Sequence, residues 1–135
     1  MIDHFKIGNT DARIAVIRVI CVLEGAKTHA KALHWASNNY SEHKLLDELL
    51  DVMSDYQDAI AEGIMGLCGA IEPSEFKPVS LSPNTSASDM VDMLCEVTVS
   101  LLNTIKQVKI CSGISSETDA FLQKLTQYSY LLSLC

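Results

Sequence analysis

Basic residues are scarce in this chain. Ten Lys and Arg stand against seventeen Asp and Glu, a formal charge of −7. A nucleic-acid footprint needs an excess of Lys and Arg to neutralise phosphates, and no basic cluster lies at either end, so tight DNA binding is not expected. The acidic balance suits the attraction of cations. Long hydrophobic runs are missing as well: the longest, Ile14 to Leu23, is broken by Arg18 and is too short to span a bilayer. Asp3, His4 and Lys6 come first and no small-residue cleavage site follows an apolar region, so no secretory signal is expected. The five cysteines, Cys21, Cys68, Cys95, Cys111 and Cys135, are odd in number and contain no Cys-x-x-Cys. That suggests neither a zinc ribbon nor a disulfide framework, and buried free thiols in a reducing cytoplasm are expected. A Gly-rich phosphate loop, a Ser/His/Asp order and a Cys/His nucleophile signature are all absent.

What is present is helical periodicity without strand alternation. Asn9-Thr10-Asp11 predicts an N-cap, with a helix from Ala12 to about Trp35 or Ala36. Ser37 to Ser41 is a polar turn, and Ser41 is expected to cap a second helix carrying Leu45, Leu46, Leu49, Leu50, Met53, Ile60, Ile64 and Leu67. That helix should end near Cys68-Gly69, where glycine can take a positive φ. The three prolines, Pro73, Pro78 and Pro83, all fall in the next connection, with room for a helical turn around Ser74–Phe76. Ser86 or Ser88 should start a third helix, broken by Ser112-Gly113, and Ser115 or Ser116 should cap a fourth. Helix, short turn, helix, long link, helix, short turn, helix is the order of an all-α four-helix bundle, here a single domain over residues 1–135. The long link allows a crossover between helices two and three.

Four ionisable residues of the second helix have a mirror-symmetric spacing: His43, Asp47, Asp58 and Glu62, with gaps of four, eleven and four. They share one helix face about 100° wide, in two clusters whose inner members are about 16 Å apart along the axis. No single metal can touch both clusters of one chain. An antiparallel copy, related by a two-fold near Val52–Met53, sets His43 and Asp47 of one chain opposite Asp58 and Glu62 of the other, making two identical sites. His34 lies across the turn from His43 and can complete each site. A mixture of imidazole and carboxylate suits Fe(II), Zn(II) or Mn(II) better than Ca(II). The plainer reading of the same acids is a solvated helix face, to which Asp51 and Asp55 also belong. His29 is off the face of His34 and reads as a core or interface residue, and His4 as part of a loosely docked terminus. Trp35 reads as packing, the methionines as core filler, and Gly63, Gly66 and Gly69 as permitting close packing.

The segment Leu33-His34-Trp35, followed by His43, Asp47, Asp58 and Ala61-Glu62, resembles the ferroxidase signature of the Dps-type miniferritins, the DNA-protection-in-starved-cells family of the ferritin-like superfamily. Ile64 to Pro73 is similar to that family's glycine-containing exit from the second helix, and Ser115 to Leu132, with Thr118, Leu122 and Leu125, to its last helix. The resemblance implies a ferritin-like bundle with a crossover and an assembly into a two-fold dimer and a dodecameric cage. It also implies a ferroxidase that oxidises Fe(II) with H2O2 or O2 and stores the ferric product. The iron site, mononuclear or di-iron, would use His34, His43 and Asp47 of one chain with Asp58 and Glu62 of its neighbour; Zn or Mn could substitute. Three departures stand out. The stretch from Trp35 to His43 is shorter by about three residues, the family's Asn-x-x-Gly after the Trp is replaced by Ala36-Ser37-Asn38-Asn39, and Gly63 stands where a basic residue is common. The alternative is a non-catalytic ferritin-like structural or interaction protein that keeps a metal site.

Overall fold

Between Ile2 and Ala36 nothing forces a break: there is no proline, and the only glycines are Gly8 and Gly25. In the computed structural model, which describes the backbone of residues 2–135 and the side chains of residues 10–135, this stretch is one continuous helix, α1, Ile2–Ala36. The expected start at Ala12 is thus too late. Asn9, Thr10 and Asp11 lie inside the helix, because a local capping signal is overridden when the residues before it are themselves compatible with helix. The side chain of His4 falls outside the described residues.

A turn of only three residues, 37–39, leads into α2, Tyr40–Cys68. Asn39, not Ser41, caps it: its side-chain oxygen accepts the Glu42 N–H at 2.9 Å. Gly69 closes α2 with φ 88° and ψ −179°, its N–H donating to the Met65 carbonyl at 2.8 Å. That backbone is open to glycine alone. A 3-10 turn, Pro73–Glu75, sits in the long connection, and α3, Ala87–Ile105, is capped by Ser86, whose hydroxyl accepts the Asp89 N–H at 3.0 Å. The break expected at Ser112-Gly113 comes earlier. Residues Lys109–Cys111 form a second 3-10 turn that runs straight into α4, Ser112–Ser133, so Ser115 and Ser116 lie within α4 and do not cap it. Among the described residues there is no strand, and no helix is long and apolar enough to cross a membrane.

All four helices contribute to one core. Leu23 of α1, Leu46, Met53 and Ile60 of α2, Leu94 and Leu101 of α3, and Phe121 and Leu125 of α4 are all fully or almost fully buried. Each such side chain contributes about 1.5–3 kcal/mol by leaving water. α1 packs on α2 and α3, and α4 packs on α2 and α3. Two polar groups inside this core are fully served. Gln57 of α2 donates to the Ile20 carbonyl at 3.0 Å and to Glu24 at 3.3 Å, and accepts from Lys27 at 3.0 Å. Thr118 of α4 donates to the Ile114 carbonyl at 2.7 Å, so at 2.9 Å it is the Tyr56 hydroxyl that donates to Thr118. Burial pushes the Tyr56 phenol up to about 12.

The connection of residues 69–86 is strapped along α1. Arg13 holds Glu75 through two bonds of 2.7 and 2.9 Å and donates to the Ala70 carbonyl at 3.0 Å. The Lys77 N–H reaches the Cys21 sulfur at 3.3 Å, the Val79 N–H donates to the Cys21 carbonyl at 3.0 Å, and His29 Nε2 donates to the Thr85 carbonyl at 2.7 Å. Here Gly25 is required by space: a Cβ on it would lie 1.6 Å from the Val79 oxygen.

Two stability measurements test this strap. Gly25→Ala is expected to lose about 1–3 kcal/mol in urea unfolding, because the strap must lift from α1. Gly66→Ala, whose Cβ would meet nothing within 4 Å, should gain up to about 1 kcal/mol from the stiffer unfolded chain. Equal effects would show that the strap does not bear on α1. The second measurement uses pH. The Arg13 guanidinium, helped by the Glu72 N–H, holds the Glu75 carboxyl at about 2, below its ordinary 4.5. A carboxyl lowered on folding stabilises the protein above its unfolded value and loses that contribution as pH falls through its folded value. Glu75→Gln should therefore be less stable than the parent at about pH 6, and the gap should close steadily below about pH 4.5. A gap independent of pH would show that the ion pair is not what holds the strap.

Candidate functional site

The turn between α1 and α2 brings two histidines face to face. The His34 and His43 rings stack with centroids 3.7 Å apart and planes 16° from parallel. Their hydrogen bonds are reciprocal: His34 Nδ1 lies 2.7 Å from the His43 carbonyl, and His43 Nδ1 lies 2.6 Å from the His34 carbonyl. A carbonyl oxygen only accepts, so both Nδ1 atoms carry the proton. In the neutral rings both Nε2 atoms are then left with a free lone pair, and among the described residues neither Nε2 has a hydrogen-bond partner. A backbone carbonyl holding one ring nitrogen while the other stays open is how proteins orient metal-binding imidazoles.

The clamp also has a local cause. The His34 carbonyl belongs to the last turn of α1, where helix carbonyls lack intrahelical partners, and His43 supplies one. The turn itself is tight: the Ser37 hydroxyl donates to the Asn39 carbonyl at 3.0 Å, and the His43 N–H donates to the same carbonyl at 2.9 Å. The Tyr40 ring lies 6.5 Å from that of His43, and the Lys44 ammonium is 5.8 Å from the Tyr40 centroid. Both Trp35 and Tyr40 are exposed, at 73% and 74%. Trp35 therefore does not pack within its own chain, contrary to the expectation from sequence.

The carboxylates lie elsewhere. α2 buries Leu46, Leu49, Met53, Tyr56, Gln57, Ile60 and Ile64 on one side. Asp47, Asp58 and Glu62 are exposed, as are Glu48, Asp51 and Asp55. Asp47 borders a polar groove of about 390 Å³ between α1 and α2, together with Glu24, Lys27, Lys31 and Asp51. Among the described residues, no three His, Cys, Asp or Glu side chains of one chain converge well enough to hold a metal ion. The structure thus joins His34 to His43, and within a single chain no group of three that includes them and Asp47, Asp58 or Glu62 forms among the described residues. His29 sits on a different side of α1, in the wall of an apolar groove of about 590 Å³ with Leu33, Pro78, Leu81 and Pro83.

The reciprocal clamp was not legible from spacing. Its one sequence signal is a histidine on each flank of a three-residue turn. Its tautomers are directly testable. Long-range ¹⁵N–¹H correlation spectra at about pH 8, where unperturbed imidazoles are neutral, should show both histidines protonated at Nδ1 and bare at Nε2. An Nε2–H form for either one would remove the basis for reading the pair as open donors.

No curated protein and no solved structure matches the chain. A family model does match, over residues 34–132, a span that takes in His34, His43, Asp47, Asp58 and Glu62. The chain belongs to that family, a family of unknown function (DUF5856).

Proposed function

We propose that this protein is a ferritin-like miniferritin that takes up Fe(II) at sites shared between two chains, oxidises it with H2O2 or O2 and stores the ferric product. The observation that carries the reading is the reciprocal His34–His43 clamp, which fixes two imidazoles with their Nε2 lone pairs unspent. The order of four helices is compatible with it, and the strap runs along α1 from Arg13 to His29. In this reading the strap is the crossover between α2 and α3 of a ferritin-like bundle.

In this reading His34, His43 and Asp47 act with Asp58 and Glu62 of the partner subunit, across a two-fold near Val52–Met53. Each Fe(II) is a substrate and gives up one electron. The imidazoles supply neutral donors that hold Fe(II) without cancelling its charge, and the carboxylates stabilise the higher charge of Fe(III). Asp58 of the partner subunit binds metal or orients His34. Metal also answers an electrostatic problem: six exposed carboxylates on the outer side of α2 repel those of a second copy until cations lie between them. Assembly beyond the dimer, into a dodecameric cage, is implied by the resemblance, and the charge of −7 argues against tight DNA binding. The second reading is a non-catalytic ferritin-like structural or interaction protein. One observation favours it: the clamp already has a structural use, stapling α1 to α2.

Iron oxidation followed optically, with and without H2O2, separates the two. Asparagine at position 43 can still donate to the His34 carbonyl but lacks the Nε2 donor. His43→Asn and Glu62→Ala are each expected to slow oxidation at least about tenfold while circular dichroism stays unchanged. His29→Gln, on the strap side of α1, should change it little. Parent-like rates in both folded variants would reject the ferroxidase and leave the structural reading.

A further inference from the structure

The end of the α2–α4 interface opposite the histidines brings together two cysteines that are far apart in sequence. α2 and α4 run antiparallel: Tyr56 bonds to Thr118, and a Cβ at Gly63 would lie 3.0 Å from the Ile114 side chain. Five residues further along α2 is Cys68, its last residue. Three residues back from Ile114 is Cys111, the last residue of the second 3-10 turn. α2 touches that turn, and both cysteines pack into the same apolar cluster. Both are free thiols, Cys111 fully buried and Cys68 half-buried. Burial pushes the Cys111 thiol up, and proximity to Cys68 pushes it further. Near Cys68, Arg13, paired with Glu75, donates to the Ala70 carbonyl at 3.0 Å.

The remaining cysteines are placed differently. The Cys21 sulfur is held by the strap through Lys77 and Glu75. Cys95 borders a shallow surface groove on α3, and Cys135 is exposed at the end of the chain.

We propose that Cys68 and Cys111 form a hydroperoxide-responsive thiol pair that closes to a disulfide, linking the end of α2 to the start of α4. The inference is independent of iron chemistry. Cys68 is the sulfur a peroxide reaches, since Cys111 has no exposed surface. The Cys68 sulfur attacks one peroxide oxygen, the O–O bond breaks, the sulfenic acid forms, and the departing hydroxide leaves as water with the thiol proton. The Cys111 sulfur then displaces the hydroxyl from Cys68. The S–S bond forms, the S–O bond breaks, and a second water carries off the Cys111 proton. Two thiols are oxidised by two electrons, and one peroxide is reduced to two waters.

The full chain carrying Cys135→Ser, which removes the exposed thiol, is treated with equimolar H2O2 in the presence of a chelator. It is then alkylated under denaturing conditions, weighed and digested. Free thiols are expected to fall from four to two, so the alkylated chain should carry two alkyl groups instead of four. The Cys68 and Cys111 peptides should appear joined, and a reductant should restore the starting state. With Cys68→Ser added, a change at a half-buried position that spares the core, the other three thiols should survive the same treatment. An unchanged thiol count overturns the proposal. So does a link between any other pair, or Cys68 oxidised to the sulfinic acid while Cys111 stays free.

Discussion

Three residues join a helix of 35 residues to one of 29, and the arrangement of the bundle and its histidines depends on that short turn. A connection so short keeps the two helices packed on each other and sets the end of one against the start of the other. The last carbonyls of α1 then need donors, and the first turn of α2 must supply them. His43 does so, and His34 returns the bond to α2. A requirement of helix ends thereby fixes the tautomers of two imidazoles. A longer turn would leave both rings free to rotate and either nitrogen free to hold the proton. The three-residue turn is thus what organises the two histidines.

The other connection works in the opposite way. Residues 69–86 hold three prolines and cannot be helical throughout, so their backbone groups must find partners outside a helix. α1 provides them along one slowly winding stripe, Arg13, Cys21, Gly25 and His29, by an ion pair, a sulfur, a bare backbone and an imidazole in turn. His29 is therefore occupied by the strap. That gives a physical reason to set it apart from His34 and His43, although all three lie on or beside the same helix.

Helix number, type and order were legible in the sequence because apolar periodicity of 3.6 residues is a strong signal over twenty or more positions. Ser86, Gly69 and the turn near Ser74 were legible too, each being a local chemical signal with no stronger neighbour. Three boundaries were not. Asn9 to Asp11 resembles a cap, yet the chain before it supports helix. Ser41 resembles a cap, yet Asn39 lies two residues nearer the turn and takes the role. Ser112-Gly113 resembles a break, yet the chain bends earlier, at residues 106–111, and a glycine in a first helical turn costs little. Of the candidate site, only the nearness of two histidines flanking a turn was legible. The stacking of those rings, their carbonyl partners and the exposure of Trp35 depend on where the turn aims each side chain, which spacing does not encode.

The hydroxyl pair between Tyr56 and Thr118 has a consequence for how the bundle chooses among its own alternatives. Leucine-rich faces slide past one another at small cost, since one apolar neighbour replaces another. A slip of one turn between α2 and α4 would strand the Tyr56 hydroxyl in the core without an acceptor, a penalty of about 1–3 kcal/mol, and would unstack its ring from Phe121, now 4.1 Å away. One donor and one acceptor thus act as a vernier for two whole helices. The mark they set near mid-helix determines which residues meet at the far end, and with it whether Cys68 and Cys111 ever share a neighbourhood.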